Sequence, residues 1–197
     1  DMEAISLFLE CQYIPAPRSI YRHIRKLRPA HAVVFQGKAL RELSYWVPDY
    51  SDKLDLAEDE AVNWVECELK RSVRSMLISE VPLGAFVSGG VDSGLVAAMM
   101  RDCLGKPVET FNLGFSSDAA QSEHEEAAAV ARHIGSHHHC LMIEPKSVLN
   151  AFDQWVDVFD EPFGDQAALP TMLLAGFARR EVTVVLTGEG ADEVFGG

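Results

Sequence analysis

Basic residues are scarce in this chain. Seventeen lysines and arginines stand against 30 aspartates and glutamates, a formal charge of −13. A nucleic-acid-binding face needs clustered cations to neutralise phosphates, so that class is disfavoured. The one basic cluster, Arg18 to Arg28, is short and reads as solvated surface. Long apolar runs are missing too: no stretch reaches the roughly 20 residues of a membrane-spanning helix, and the longest helical candidate is interrupted by Pro170. No secretory leader is read at the start. Cysteines are few, and Cys11, Cys67, Cys103 and Cys140 lie far apart. That spacing suggests neither a zinc knuckle nor a redox dithiol, and reduced thiols in a cytoplasmic protein are expected. The 48% hydrophobic content, with 24% charged residues, excludes a disordered tail.

The most informative stretch is Leu83-Gly84-Ala85-Phe86-Val87, then Ser88-Gly89-Gly90-Val91-Asp92-Ser93, then a small-residue run from Gly94 to Met100. The first part reads as a buried parallel strand and the last as a helix. Two glycines between them allow a tight bend and close approach to a ligand, leaving backbone N–H groups and the positive helix end directed at an anion. Ser88 and Ser93 add hydroxyls, and Asp92 adds a hard oxygen suited to Mg²⁺. The Walker pattern is excluded, because no lysine follows the second glycine. The competing interpretation of the hexapeptide is an ordinary strand-to-helix turn of an α/β protein.

Two apolar runs, Ala30 to Phe35 and Leu40 to Trp46, flank Gln36-Gly37-Lys38 and predict a β-hairpin. A polar connector near residues 47–56 suggests a domain boundary, giving a short β-rich segment over 1–47 and a second domain over 48–197. Val62, Val65, Leu69, Val73 and Met76 recur at helical spacing behind the acidic turn Glu58-Asp59-Glu60. Strands over 83–87, 108–114, 138–143 and 182–187 then alternate with helices over 92–103, 123–134, 146–158 and 168–179. The alternation predicts a doubly wound α/β fold with a parallel sheet covered on both faces, and a ligand outside the carboxyl ends of its strands. His137, His138 and His139 point to alternating faces of a strand, which argues against one shared metal ion.

The strand at Val182 to Leu186 is followed by Thr187-Gly188-Glu189-Gly190-Ala191-Asp192-Glu193. Asp92 lies five residues beyond Val87 and Asp192 six beyond Leu186. If these strands are parallel neighbours, both aspartates sit at one sheet edge, where two carboxylates can share a Mg²⁺ with the phosphates of a ligand. Glu189 sits close by between two glycines, while Glu193 reads as first-turn helix capping.

Ser88–Ser93 resembles the pyrophosphate loop of the ATP pyrophosphatases. Together with Thr187–Gly197 it resembles the synthetase domain of the glutamine-hydrolysing asparagine synthetases. Thr110–Phe115, Ile134-Gly135 with His137–His139, and Asp160–Phe163 with Ala168–Pro170 are similar to intervening segments of that family. Tyr13–Pro17 and Ile24–Pro29 through Tyr45-Trp46 resemble the last strands of its attached glutaminase domain, assigned here to 1–47. The resemblance implies that Ser88, Gly89, Gly90, Asp92 and Ser93 bind pyrophosphate and that Asp92 and Asp192 bind Mg²⁺. It further implies that Phe86 or Val87, with Leu113, meets adenine, that Thr187 and Gly188 contact the nucleotide, and that Glu189 is general base or organiser. The implied reaction is ATP-dependent amidation of aspartate to asparagine through a β-aspartyl-AMP intermediate, with ammonia from glutamine in the full-length protein. Small-molecule substrates are the expected partners, with neither nucleic acid nor membrane, and a homodimer is left open.

Two departures from the family bear on this expectation. The chain opens Asp1-Met2-Glu3 rather than on the cysteine a glutaminase requires, and it stops before the segment where the family keeps a lysine near the phosphates, so it is read as a fragment. The family's arginine for the substrate α-carboxylate, four residues before the proline matching Pro170, is Gln166 here. A neutral amide cannot make that bidentate contact, so a related ligase acting on another carboxylate stays open. Asp165 binds an amine or caps the following helix. A tRNA-modifying pyrophosphatase, disfavoured by the charge, and a non-catalytic ATP-binding module are the remaining alternatives.

Overall fold

Asp1 accepts a hydrogen bond from the Glu3 backbone N–H and so caps a helix, α1 (Met2–Cys11), that ends where Gln12 turns left-handed. The sequence reading of a β-rich segment did not anticipate this helix. The hairpin forms as β1 (His31–Gln36) and β2 (Ala39–Ser44), antiparallel, with His31 opposite Ser44 and Gln36 opposite Ala39. The computed structural model describes residues 1–116 and 121–196, so Gly197, the last residue of the second motif, lies outside the described residues.

The chain divides into two compact units, one of Asp1–Asp55 with Asp153–Gln166 and one of Leu56–Phe152 with the chain from Ala167 onward. In the first, Ala4 and Ile14 are buried. Its two stretches are stitched by Glu161, which accepts hydrogen bonds from Lys26 Nζ and, at 3.2 Å, from the Ile20 backbone N–H. The Gly164 N–H donates to Gln12 O at 2.7 Å, and a Cβ on Gly164 would lie 2.9 Å from Gln12 Cβ.

The second unit starts with α2 (Glu58–Met76), whose acidic first turn matches the helix dipole. Leu69, Val73 and Leu77 pack into the core, while Val62 and Met76 stay exposed, so only part of the apolar stripe is used. Next come β3 (Leu83–Phe86), α3 (Val91–Leu104), β4 (Glu109–Phe115), α4 (Gln121–Ile134) and β5 (His137–Ile143). Then follow α5 (Pro145–Asn150), α6 (Phe152–Val158), which from Asp153 onward belongs to the first unit, and, in the second unit again, α7 (Ala168–Ala178), β6 (Val184–Leu186) and α8 (Ala191–Phe195). The single helix expected over 146–158 is two helices. The chain turns at the buried Ala151, whose N–H bonds Val148 O in a tight three-residue step.

The four strands are parallel in the order β5-β4-β3-β6. Ala85, Val87, Val73 of α2, Ala97 and Met100 of α3, and Ala127 and Ile134 of α4 fill one side. Phe86 and Phe111 pack with Leu174, Phe177 and Ala178 of α7 on the other. The chain runs from β3 outward to β4 and β5, then returns to add β6 on the far side of β3, so the switch in strand order falls at β3 and β6. Among the described residues no helix is long and apolar enough to cross a membrane.

At the edge strand the three histidines split as their alternation dictates. His137 Nδ1 and His139 Nε2 reach the two Glu109 carboxylate oxygens at 2.9 and 2.6 Å, while His138 Nδ1 lies 3.1 Å from Thr110 Oγ1. Burial, then the charge of His139, holds the His138 ring below the ordinary histidine range. Burial pushes the Glu109 carboxyl up, but hydrogen bonds from His139 and His137 and their charge outweigh it and leave it lowered. A lowered carboxyl stabilises the fold above the ordinary glutamate range, and that stabilisation is lost as pH falls through the lowered value. The stability gap between the native protein and Glu109→Gln should therefore be open above the ordinary glutamate value, about pH 4.3, and shrink as pH is taken below it through the lowered value, in urea melts. A gap unchanged across that window would remove the carboxylate from the account.

Candidate active site

Each of the paired strands β3 and β6 ends in a glycine-containing loop that starts a helix, and the pairing sets both loops at one sheet edge. Leu83, Gly84 and Ala85 lie in register with Val184, Val185 and Leu186. In the first loop, the Ser88 N–H donates to Ser93 Oγ at 3.1 Å, the two hydroxyls lie 3.1 Å apart, and the Gly90 N–H reaches Ser88 Oγ at 3.4 Å. This ring fixes the loop while no side chain caps the start of α3, whose first N–H groups are left for a ligand. Gly89 is the residue that needs a left-handed backbone, at φ +88°, and a Cβ there would meet Glu126 Cβ of α4 at 2.7 Å.

The second loop lies directly on the first. A Cβ on Gly188 would sit 2.7 Å from the Ser93 backbone N and 3.0 Å from Asp92 Cβ, so the two backbones touch with no room for a side chain. Thr187 Oγ1 accepts from the Glu189 N–H at 3.4 Å, and Gly190 turns left-handed to start α8.

Between these loops opens a cleft of about 570 Å³, inside the range of about 300–1,000 Å³ usual for small-molecule sites. Phe86 lines it from β3, Val87, Ser88, Gly90, Asp92 and Ser93 from the first loop and α3, Leu113 from β4, and Thr187, Gly188, Glu189 and Asp192 from the second loop and α8. Of the candidate nucleotide-binding, metal-binding and catalytic residues read from sequence, Gly89 alone is not in the lining; it sits behind the loop against α4. Glu193, read as a capping residue, faces the cleft. Asp165 and Gln166 belong to the other compact unit.

Asn112, Phe115, Glu123, Thr171 and Leu174 also line the cleft and were not found by sequence. Asn112 carried a signal, a polar residue inside the apolar run of β4; the others become neighbours only through packing. The apolar part of the wall, Phe86, Leu113, Phe115, Pro170 and Leu174, would suit a flat heterocycle.

The charge of the wall is one-sided. Among the described residues five carboxylates, Asp92, Glu123, Glu189, Asp192 and Glu193, line the cleft, and no lysine or arginine does. A polyphosphate bound here would need a cation brought with it. Asp92 and Asp192 are hard oxygen donors from the two touching loops, the type Mg²⁺ prefers. Among the described residues no group of three or more His, Cys, Asp or Glu is arranged to hold a metal by itself. The donor set therefore fits Mg²⁺ only if phosphate oxygens and water complete its shell, as is usual for Mg²⁺–nucleotide sites.

Gly188→Ala should force the loops apart and cost about 1–3 kcal/mol in urea unfolding, the usual size of overpacking. Gly89→Ala adds a left-handed strain of about 1–3 kcal/mol to its clash with α4. A Gly188→Ala protein as stable as the native one would mean that the contact between the loops yields freely.

Residues 65–197 match the family model described as asparagine synthase. The whole chain is 34% identical to a putative glutamine-hydrolysing asparagine synthetase 2 of Methanocaldococcus jannaschii, covering 38% of that protein. It is 30% identical to glutamine-hydrolysing asparagine synthetase 1 of Bacillus subtilis, covering 31% of it. The chain thus spans about a third of the length of these relatives. In fold it is similar to a glutamine-dependent NAD⁺ synthetase of Acinetobacter baumannii solved with ADP, with a TM-score of 0.50 and 24% identity over 74% of this chain and 28% of that one.

Proposed function

This chain belongs to the asparagine synthase family, and from that footing we propose that it supplies the ATP-binding half of a glutamine-hydrolysing amide ligase whose acceptor is the β-carboxylate of aspartate. The observation that carries the proposal is the pair of loops from β3 and β6, backbone against backbone at Gly188 and Ser93, opening into a single cleft. On the same reading residues 1–47 are the tail of the glutaminase domain, and 48–197 belong to the synthetase domain.

In the proposed reaction an aspartate carboxylate oxygen attacks the α-phosphorus of ATP, and the bond to the bridging oxygen breaks to release pyrophosphate. The amides of the Ser88–Ser93 loop and the start of α3 receive the departing pyrophosphate. Asp92 and Asp192 would hold Mg²⁺, which supplies charge neutralisation to the phosphates. Phe86, Val87 and Leu113 hold the adenine against an apolar wall, and Thr187 and Gly188 contact the nucleotide. Ammonia then attacks the acyl carbon of the β-aspartyl adenylate, AMP leaves, and Glu189 takes the proton from the attacking nitrogen or positions it. The apolar wall keeps water from the adenylate.

Gln166, in place of the family's arginine, favours a second acceptor within the same chemistry, another carboxylate without an aspartate α-carboxylate to bind. Pyrophosphate release by the protein at its natural length, with Mg-ATP and ammonia, decides between them. Aspartate-dependent release with asparagine formed is the expected result. Release only with another carboxylate would keep the ligase and replace its substrate, and nucleotide binding without any release would mark a non-catalytic module. Asp192→Asn should lower turnover by about a hundredfold, on the scale of losing one element of transition-state charge stabilisation, and unchanged turnover would remove Asp192 from the metal site.

A further inference from the structure

Two buried polar side chains line the cleft, Ser93 and Asn112. Ser93 directs its hydroxyl into the loop itself, toward the Ser88 N–H, Ser88 Oγ and Gly90 O. The Asn112 side chain, on a residue 5% exposed, makes one hydrogen bond among the described residues: its Oδ1 accepts from the Cys140 thiol at 3.4 Å across the β4–β5 pair, where the two residues are register partners, and the same thiol lies 3.6 Å from Met142 Sδ. That contact assigns the amide orientation and leaves Nδ2, with two N–H donors, unmatched. Nδ2 is not sealed in the core, unlike His124 Nδ1 and His138 Nε2, which are buried with no partner. It therefore opens to the cleft.

The face of the sheet decides what Nδ2 can meet. Gly114, two residues on and on the same side of β4, lies so close to α4 that a Cβ there would be 3.0 Å from His124 Cβ. Asn112 thus projects on the α3 and α4 side, the side to which the Ser88–Ser93 loop turns. Phe111, of opposite alternation, packs on Phe177 of α7, the apolar side. In a cleft whose wall has no lysine or arginine, a neutral amide donor beside that loop is suited to an anionic oxygen.

We propose that Asn112 Nδ2 donates to a phosphate oxygen of the nucleotide or of pyrophosphate, and that Cys140 is a positioning residue whose thiol holds the amide in the donating orientation. This rests on the nucleotide-site reading above. Cys140 is an exposed residue, and the partial desolvation of its thiol pushes it up, which keeps it protonated as the donor this role requires.

The test is the affinity of the protein at its natural length for Mg-pyrophosphate, Mg-ATP and adenosine, by calorimetry. Asn112→Ala should weaken both phosphate probes about tenfold or more, as for one hydrogen bond to a charged oxygen, and leave adenosine unchanged. Asn112→Asp, which keeps the shape but reverses the donor, should weaken them further. Cys140→Ala should weaken the same two probes to a smaller degree, and Cys140→Ser, which keeps a donor, should restore them. Unchanged pyrophosphate binding in both Asn112 variants, or a loss confined to adenosine, would overturn the assignment of Asn112. Equal effects of Cys140→Ala and Cys140→Ser would overturn the positioning role. An unaltered protein that binds neither phosphate probe would instead overturn the nucleotide-site reading itself, and the Asn112 assignment with it.

Discussion

The parallel pairing of β3 with β6 is the constraint on which the cleft depends. Their registers bring Ala85 beside Leu186, and from there each strand has only a few residues before its loop turns into a helix. The loops then meet without side chains between them, Gly188 lying on the backbone of Ser93. Any side chain at 188 would move α3's first turn away from the second loop, and Asp92 would move with it. Pairing in the sheet, loop length and one missing Cβ thus fix the relation between two carboxylates a hundred residues apart in sequence.

The electrostatics of the cleft follow from the same arrangement. Backbone N–H groups at the start of α3 are its positive element, and five carboxylates oppose them. Such a wall repels a bare triphosphate and accepts one only with its cation, which ties the proposed nucleotide binding to Mg²⁺ more tightly than a lysine-bearing loop would. The two faces of the sheet divide the remaining work. The α3 and α4 side carries the loop and Asn112, and the α7 side carries the apolar packing of Phe86, Phe111 and Phe177.

Away from the cleft, polar pairing does the structural work at half-buried positions. Glu161 joins two distant stretches of the first unit through Lys26 and Ile20, and Glu109 joins β4 to the edge strand through His137 and His139. The edge strand β5 itself carries the polar rings His137 and His139, a kind of edge that discourages pairing with another chain.

Local information in the sequence was enough for the alternation of strands and helices, the two glycine-bearing loops and the aspartates they carry, because apolar periodicity and turn chemistry are properties of short segments. It was enough to split His137, His138 and His139 between faces, since alternation along a strand is covalent geometry. It was not enough for α1, whose residues 2–11 pack through Ala4 within their own unit, nor for the break at Ala151, which burial imposes on an otherwise helical run. Glu123, Thr171 and Leu174 became cleft residues only because α4 and α7 fold back over the strand ends. Asn112 was visible as a polar residue in a strand, but its free N–H groups depend on Cys140 lying across from it in register. Sequence by itself determined which segments turn and what they carry; tertiary structure decided which of them meet, because strand order and helix packing are set by long-range contacts that no local pattern encodes.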